Sequence, residues 1–275
     1  MRFGIDVAQQ RITWQELVER VQIGERLGFE GAFGFDHYQP MFGSGPGNCF
    51  EGMTTLAGLA GLTQTIRLGL LVAGVTYRHP SVYTCQAITL DHISNGRFEM
   101  SFGAAWFEPE HKQLGIGFPK SANRFDLLED SLEIVTRLMS GEVVDYVGKT
   151  TSLNQAQLLP RPLQRPHPPI WIGGSGPNRT LPLVARFGDV WHCFEGPSSL
   201  ENLGGTLDSL ATEVGRDPRS ITRSSSISIS ANDNEIRKLI AQYERAGVEY
   251  LVCSWPTQGA ERVEEFAIEI MSQFK

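Results

Sequence analysis

The amino-acid sequence predicts an α/β protein, a (β/α)8 TIM barrel made as a single domain over residues 1–275, with an insertion after the fourth β/α unit. Three observations carry this. Short apolar runs alternate with longer amphipathic runs along the whole chain, which predicts a parallel sheet with right-handed crossovers. Eight such units can be counted, the number of strands that closes a barrel. The turn after the first run reads Val7-Ala8-Gln9-Gln10-Arg11, with no glycine, whereas an open doubly wound sheet would carry its glycine-rich fingerprint there.

The elements follow in order. Residues 2–7 are the first strand. Over 14–27, Leu17, Val18, Val21 and Leu27 recur at helical spacing, and Gly28 and Gly31 then end the helix and open a strand over 31–36. Residues 51–62, rich in Ala and Leu, form the next helix. Residues 66–74 are apolar on both faces, as a buried parallel strand is. Pro80 suits a first helical turn, and its helix runs to residue 93. Asn95-Gly96 turns the chain into a fourth strand over 97–105. Residues 125–139 place Leu128, Leu132, Val135 and Leu138 on one helical face. The insertion, 142–169, holds a short hairpin over 143–159 and then a proline-dense stretch that suits neither helix nor central strand. Strands at 170–174, 189–194, 221–230 and 250–255 then alternate with helices at 178–187, 200–214, 234–246 and 260–274.

Composition narrows the function classes. The chain is 41% hydrophobic and 20% charged, with a formal net charge of −7, which disfavours sequence-independent nucleic-acid binding. Its four cysteines, Cys49, Cys85, Cys193 and Cys253, form no CxxC pair and are expected to be reduced, which fits a cytoplasmic protein. The chain opens without an apolar signal run, and its longest apolar stretch, around 70–75, is too short to span a bilayer. A metal centre is not expected: the six histidines show no HxH after the first strand and no HExxH, and the last strand ends Cys253-Ser254-Trp255 without the aspartate of barrel metallohydrolases.

In such a barrel the loops after each strand build the active site. After the second strand stand Asp36-His37-Tyr38, where His37 is placed for proton handling or as a hydrogen-bonded structural histidine. After the third comes Gly74-Val75-Thr76-Tyr77-Arg78-His79-Pro80, in which Arg78 suits either an anion or the solvent. After the fourth comes Gly103-Ala104-Ala105-Trp106-Phe107-Glu108. Its three small residues let a ligand approach the backbone. Trp106 offers a flat surface or core packing, and Glu108 an acid or a helix N-terminal charge. After the fifth, Gly173-Gly174-Ser175-Gly176-Pro177 leads into a helix and reads as a phosphate cradle or as a tight turn. It is not a P-loop, since no Lys-Ser/Thr follows. After the sixth, Trp191 serves as a wall for an aromatic ligand or as a core residue. Together these loops suit a flat, phosphorylated organic cofactor.

The stretches Phe35-Asp36-His37-Tyr38, Ile66-Arg67-Leu68-Gly69, Gly74 through Pro80, Leu90-Asp91-His92-Ile93-Ser94-Asn95-Gly96-Arg97, Gly103 through His111, Asn123-Arg124-Phe125 and Pro169 through Gly176 resemble the luciferase-like monooxygenase superfamily, and within it the oxidoreductases dependent on the deazaflavin coenzyme F420. The resemblance runs in order from residue 1 to about residue 195, and more loosely beyond. It implies a non-prolyl cis peptide after the third strand, at Gly74–Val75, backing the cofactor ring. It implies that Asp36 and His37 lie near that ring. Gly74, Val75, Thr76, Trp106 and Trp191 are also read as cofactor-binding. Gly103, Ala104, Ala105, Gly173, Gly174 and Ser175 would take the phosphate region. His37 and Glu108 would be the catalytic pair. Residues 41–49, rich in glycine, read as a mobile cover.

The function so implied is hydride transfer between F420 and a small organic substrate, with His37 handling the accompanying proton and Arg78 and Lys112 offered to the acidic tail of F420. An FMN-dependent monooxygenase served by a flavin reductase is the alternative. A non-catalytic flavin- or F420-binding barrel is an alternative of another class. A homodimer is expected, with neither nucleic acid nor membrane as partner.

Overall fold

The computed structural model describes residues 1–274. Strand β1 (Arg2–Asp6) leads through the capping-box residues Thr13 and Glu16 into α1 (Trp14–Leu27), which Gly28 closes in the left-handed conformation at φ 81°. Then follow β2 (Gly31–Gly34), α2 (Gly52–Ala60), β3 (Arg67–Leu70), α3 (Pro80–Ile93), β4 (Phe98–Phe102), α4 (Glu108–Leu114) and α5 (Ser121–Leu138). An antiparallel pair, β5 (Val144–Val147) and β6 (Ser152–Ala156), stands outside the barrel and packs Val144 against Ile134 and Leu138 of α5. The chain continues with β7 (Ile170–Gly173), α6 (Thr180–Phe187), β8 (Val190–Cys193), α7 (Pro197–Glu213), β9 (Thr222–Ser228), α8 (Asp233–Arg245), β10 (Tyr250–Ser254) and α9 (Ala260–Glu269).

The described residues contain one closed parallel barrel of order β1-β10-β9-β8-β7-β4-β3-β2, so the eight-stranded barrel read from the sequence is the fold. Strand periodicity then decides what sits inside. Phe33, Trp171, Val190, Tyr250 and Val252 fill the interior as an aromatic and aliphatic plug, with Phe33 and Trp171 centroids 4.9 Å apart and Trp171 and Tyr250 5.3 Å apart. Gly4 and Gly31 make room for it: a Cβ on either would stand 2.8 Å from Phe33. Trp171 donates its indole N–H to Glu99, which Arg67 neutralises, so the buried carboxylate and the indole N–H are both paired. Two residues further along, the same inward faces bring Asp6, Phe35, Gly173 and Ser254 to the rim above the plug.

Two local readings are corrected. Strand β3 ends at Leu70, and the non-prolyl cis peptide is Leu71–Val72, not Gly74–Val75. The Gly74–Val75 segment is already occupied in extending the barrel edge, with Gly74 bridged to Gly103 and the Val75 N–H donating to the Gly103 carbonyl at 3.1 Å. The segment from 108 to 114, left without an element in the sequence reading, is the short helix α4. Among the described residues no helix is long and apolar enough to cross a membrane.

Candidate active site

Above the plug the barrel opens into a cavity of about 710 Å³ at the C-terminal ends of the strands, a volume suited to a cofactor with a substrate. Every barrel strand, or the loop after it, contributes to its wall. Small residues carry one side: Gly103, Ala104 and Ala105 after β4, and Gly173, Gly174, Ser175 and Gly176 after β7. Leu71, Val72 and Gly74 carry the wall after β3. A Cβ on Gly103 or Gly173 would come within 2.6 or 2.8 Å of Val72, so both glycines are required for the strands to close around that side chain.

The glycine turn leads into α6 with its backbone partly free. The Gly174 N–H is spent on the His192 carbonyl at 3.0 Å, and the Gly103 N–H on Ala73 at 2.8 Å. The amides of Ser175 and Gly176 make no hydrogen bond among the described residues. Gly174 sits at φ 128°, which side chains other than glycine's rarely adopt. Trp191, expected as a cofactor wall, is fully buried behind this turn and donates its indole N–H to the Gly174 carbonyl at 2.7 Å. It shapes the turn without lining the cavity.

His37 lines the opposite wall, 8% exposed. Its Nδ1 lies 3.0 Å from Glu110 Oε2, and the Tyr77 hydroxyl donates to the same carboxylate oxygen. Glu110 Oε1 accepts the backbone N–H groups of Tyr38 at 2.6 Å and Gln39 at 2.7 Å. Burial pushes the Glu110 carboxyl upward, but the bonds from His37, Tyr77, Tyr38 and Gln39 outweigh it and hold the group below the usual carboxylate range. The anchored carboxylate fixes His37 through Nδ1, and Nε2 has no hydrogen-bond partner among the described residues. Below, Tyr77 stacks on His111 at 4.5 Å, and His111 Nε2 bonds Thr76 at 2.7 Å. Thr76 and Val75 therefore lie behind the wall, Val75 in the core.

Glu108, expected beside His37 as an acid, is exposed in the first turn of α4 and does not reach the cavity. Two residues along a helix turn roughly 200°, which sends Glu110 inward and Glu108 out. Glu110 is the residue the sequence reading missed, although it stands in the same motif. Asp36 lines the cavity but its carboxylate is committed: Arg78 grips it with contacts of 2.6 and 2.9 Å, and the Gly74 N–H adds a third at 2.9 Å. Arg78 is further held by Glu51 at 2.9 Å, so it is part of the scaffold and not open to a ligand. Trp106 is 65% exposed at the rim, 6.1 Å from the His37 ring. His192 is buried between Ser224 and Ser226, and burial lowers its pKa to about 3, so it stays neutral. Among the described residues no cluster of His, Cys, Asp or Glu is placed to hold a metal.

The family model described as luciferase-like monooxygenase matches residues 1–265. The chain belongs to this luciferase-like family. Among curated relatives it is similar to an F420-dependent glucose-6-phosphate dehydrogenase of Microbacterium testaceum, 30% identical over 78% of this chain and 64% of that protein. It is also similar to a pyrimidine monooxygenase of Methylobacterium radiotolerans, 30% identical over 76% of this chain and 55% of that one. The chain thus spans only 55% to 64% of these relatives' lengths. Among solved structures, an F420-dependent secondary alcohol dehydrogenase in complex with an F420-acetone adduct shares the fold at TM-score 0.89, with 16% identity over 98% of both chains. In this luciferase-like barrel, one further cavity group went unread in the sequence. Asp6, at the end of β1, lies on the inward face shared with Gly4 and accepts the Ala8 N–H at 2.9 Å.

Proposed function

We propose that the protein is an oxidoreductase that moves a hydride between deazaflavin coenzyme F420 and a small organic substrate. The observation that carries this is the cavity's polarity. One end presents the free amides of Ser175 and Gly176 before a helix N-terminus, and the other presents His37 anchored by Glu110. The fit to such a cofactor rests on the glycine wall, where side chains would collide with Val72, and on a mouth left open by the plug beneath it. Bound there, F420 would supply or accept the hydride. Ser175, Gly176 and the α6 N-terminus would hold its phosphate, Ala104 and Ala105 would let it lie against the backbone, and Leu71 and Val72 would support the ring. Glu110 keeps the His37 imidazole oriented, and His37 would hold or move a proton at Nε2. Residues 41 and 42 reach over the cavity and would help exclude water.

A second reading, an FMN-dependent monooxygenase fed by a flavin reductase, draws support from the pyrimidine monooxygenase relative. Titration of the purified protein with F420 and, separately, with FMN distinguishes the two. Saturable F420 binding is expected. FMN binding without F420 binding would reverse the assignment. We further propose a single-domain, cytoplasmic homodimer that engages neither nucleic acid nor membrane, in line with the net charge of −7.

A further inference from the structure

The cavity has an unusual charge inventory. Among the described residues that line it there is no Lys or Arg. Three basic side chains around it are committed elsewhere: Arg78 to Asp36 and Glu51, Arg124 to the carbonyls of Ala104 and Pro119, and Arg11 to the carbonyls of Phe42 and Gly45. The Ser175 hydroxyl donates to Glu195 at 3.1 Å, which puts a carboxylate rather than a cation beside the glycine turn. The mouth is ringed by large apolar side chains, Phe42 at 64%, Trp106 at 65% and Phe194 at 59% exposure. One anion-binding end, built of neutral amides, would be taken by the cofactor's own phosphate. A second phosphate would find no Lys or Arg among the described lining residues to pair with it.

Asp6 stands in this cavity with one oxygen on the Ala8 N–H and the other without a partner among the described residues. The elements packed around it bring few charges. Arg20 of α1 acts from a distance and lies 4.9 Å over the Trp255 ring. Asp36, already neutralised by Arg78, and His37 stand at the end of β2, and β10 presents only Ser254. We propose that Asp6 is a catalytic residue which gives its proton to the reacting heteroatom of an uncharged, largely apolar carbonyl or imine substrate, and that the cavity rejects phosphorylated substrates. This rests on the F420 reading. In the reduction, hydride from the reduced deazaflavin forms a bond to the substrate carbon, the π pair moves to the oxygen or nitrogen, and that atom takes the Asp6 proton. The substrate gains two electrons, the deazaflavin loses two, and the Asp6 carboxylate recovers a proton from water. In the reverse direction the carboxylate takes the proton from an alcohol or amine. Burial supports this by raising the Asp6 carboxyl to about 6, against the smaller opposing effects of the Ala8 N–H and Arg20.

The test compares wild-type protein with Asp6→Asn and Asp6→Glu. Three quantities are measured: F420 affinity by fluorescence titration, the Asp6 carboxyl titration by carbon NMR, and turnover of a panel of uncharged ketones alongside glucose 6-phosphate. The inference expects a carboxyl that titrates well above the ordinary aspartate range and ketone turnover without glucose 6-phosphate turnover. Asp6→Asn should bind F420 as the wild type does while turning over ketones about 10²- to 10⁴-fold more slowly, and Asp6→Glu should recover part of the rate. An Asp6 that titrates as an ordinary aspartate, an Asp6→Asn protein with unchanged turnover, or a preference for glucose 6-phosphate would each overturn it while leaving F420 binding intact. Absence of F420 binding in the wild type would instead overturn the proposed function, and this inference with it.

Discussion

His37 Nδ1 and Glu110 Oε2 stand 3.0 Å apart although 73 residues separate them in the chain. The barrel makes the meeting possible by setting the β2 loop beside α4. Glu110 is an acceptor for four donors: His37, the Tyr77 hydroxyl, and the Tyr38 and Gln39 amides. Replacement by glutamine puts an NH₂ group where only acceptors fit, so at least one donor loses its partner. Glu110→Gln should cost about 1–3 kcal/mol of stability. It should also lower turnover about tenfold or more by freeing the His37 ring, without a matching loss of F420 affinity. Unchanged turnover would show that His37 does not depend on its anchor.

Gly174→Ala tests the cofactor end. At φ 128° the backbone there suits glycine, and the Trp191 indole bonds its carbonyl from behind. An alanine would be strained by about 1–3 kcal/mol, and the turn would shift to relieve it, misaligning the free amides of Ser175 and Gly176. The expected result is F420 binding weakened by about tenfold or more, with the midpoint of thermal unfolding lowered. Binding at wild-type strength would place the cofactor's phosphate elsewhere.

The fold was legible because hydrophobic period and turn chemistry repeat in each unit, and no single element had to be read correctly. Loop positions such as His37, Gly103 and Gly174 were legible because a barrel's strand ends announce themselves. What failed was orientation. Nothing in the string Glu108-Pro109-Glu110 says that a short helix turns the second glutamate inward and the first to solvent. Thr76 and Val75 were read as wall because they follow a strand, but the Leu71–Val72 segment takes that place and Val75 drops into the core. Trp191 was assigned to the cavity face, whereas the alternation along β8 puts His192 and Phe194 inward and leaves Trp191 behind the turn. Asp6 carried a readable signal, its two-residue spacing from the inward Gly4, once β1 was known to end there.

Arg78 was expected to meet an anionic ligand, and its contacts say otherwise. It holds Asp36 through two nitrogens and Glu51 through one of them, with its side chain 9% exposed. Arg78→Ala would leave Asp36 buried and unpaired, a loss of about 3–5 kcal/mol. Arg78→Ala with Asp36→Asn should recover part of it, since no buried charge remains. Chemical denaturation of the single and double variants reads both effects. If the single variant is as stable as the wild type, or if it only weakens F420 binding, Arg78 serves the ligand and not the scaffold.

The Asp6 carboxyl also leaves a mark on stability that needs no ligand. Its folded-state pKa, about 6, lies above the ordinary 3.8, chiefly because burial disfavours the charged form. Between those values the folded chain binds the proton that the unfolded chain has released, so stability falls as pH rises through this window. Asparagine carries no such proton. Relative to the wild type, Asp6→Asn should therefore gain roughly 2–3 kcal/mol between about pH 4 and about pH 7, because the other titrating groups are common to both chains and cancel in the difference. Thermal or urea unfolding of the pair at both pH values gives that difference directly. A constant offset would mean that Asp6 titrates alike in the folded and unfolded chains, and the share of protonated carboxyl near neutral pH would then be about a hundredfold smaller than a pKa of about 6 provides.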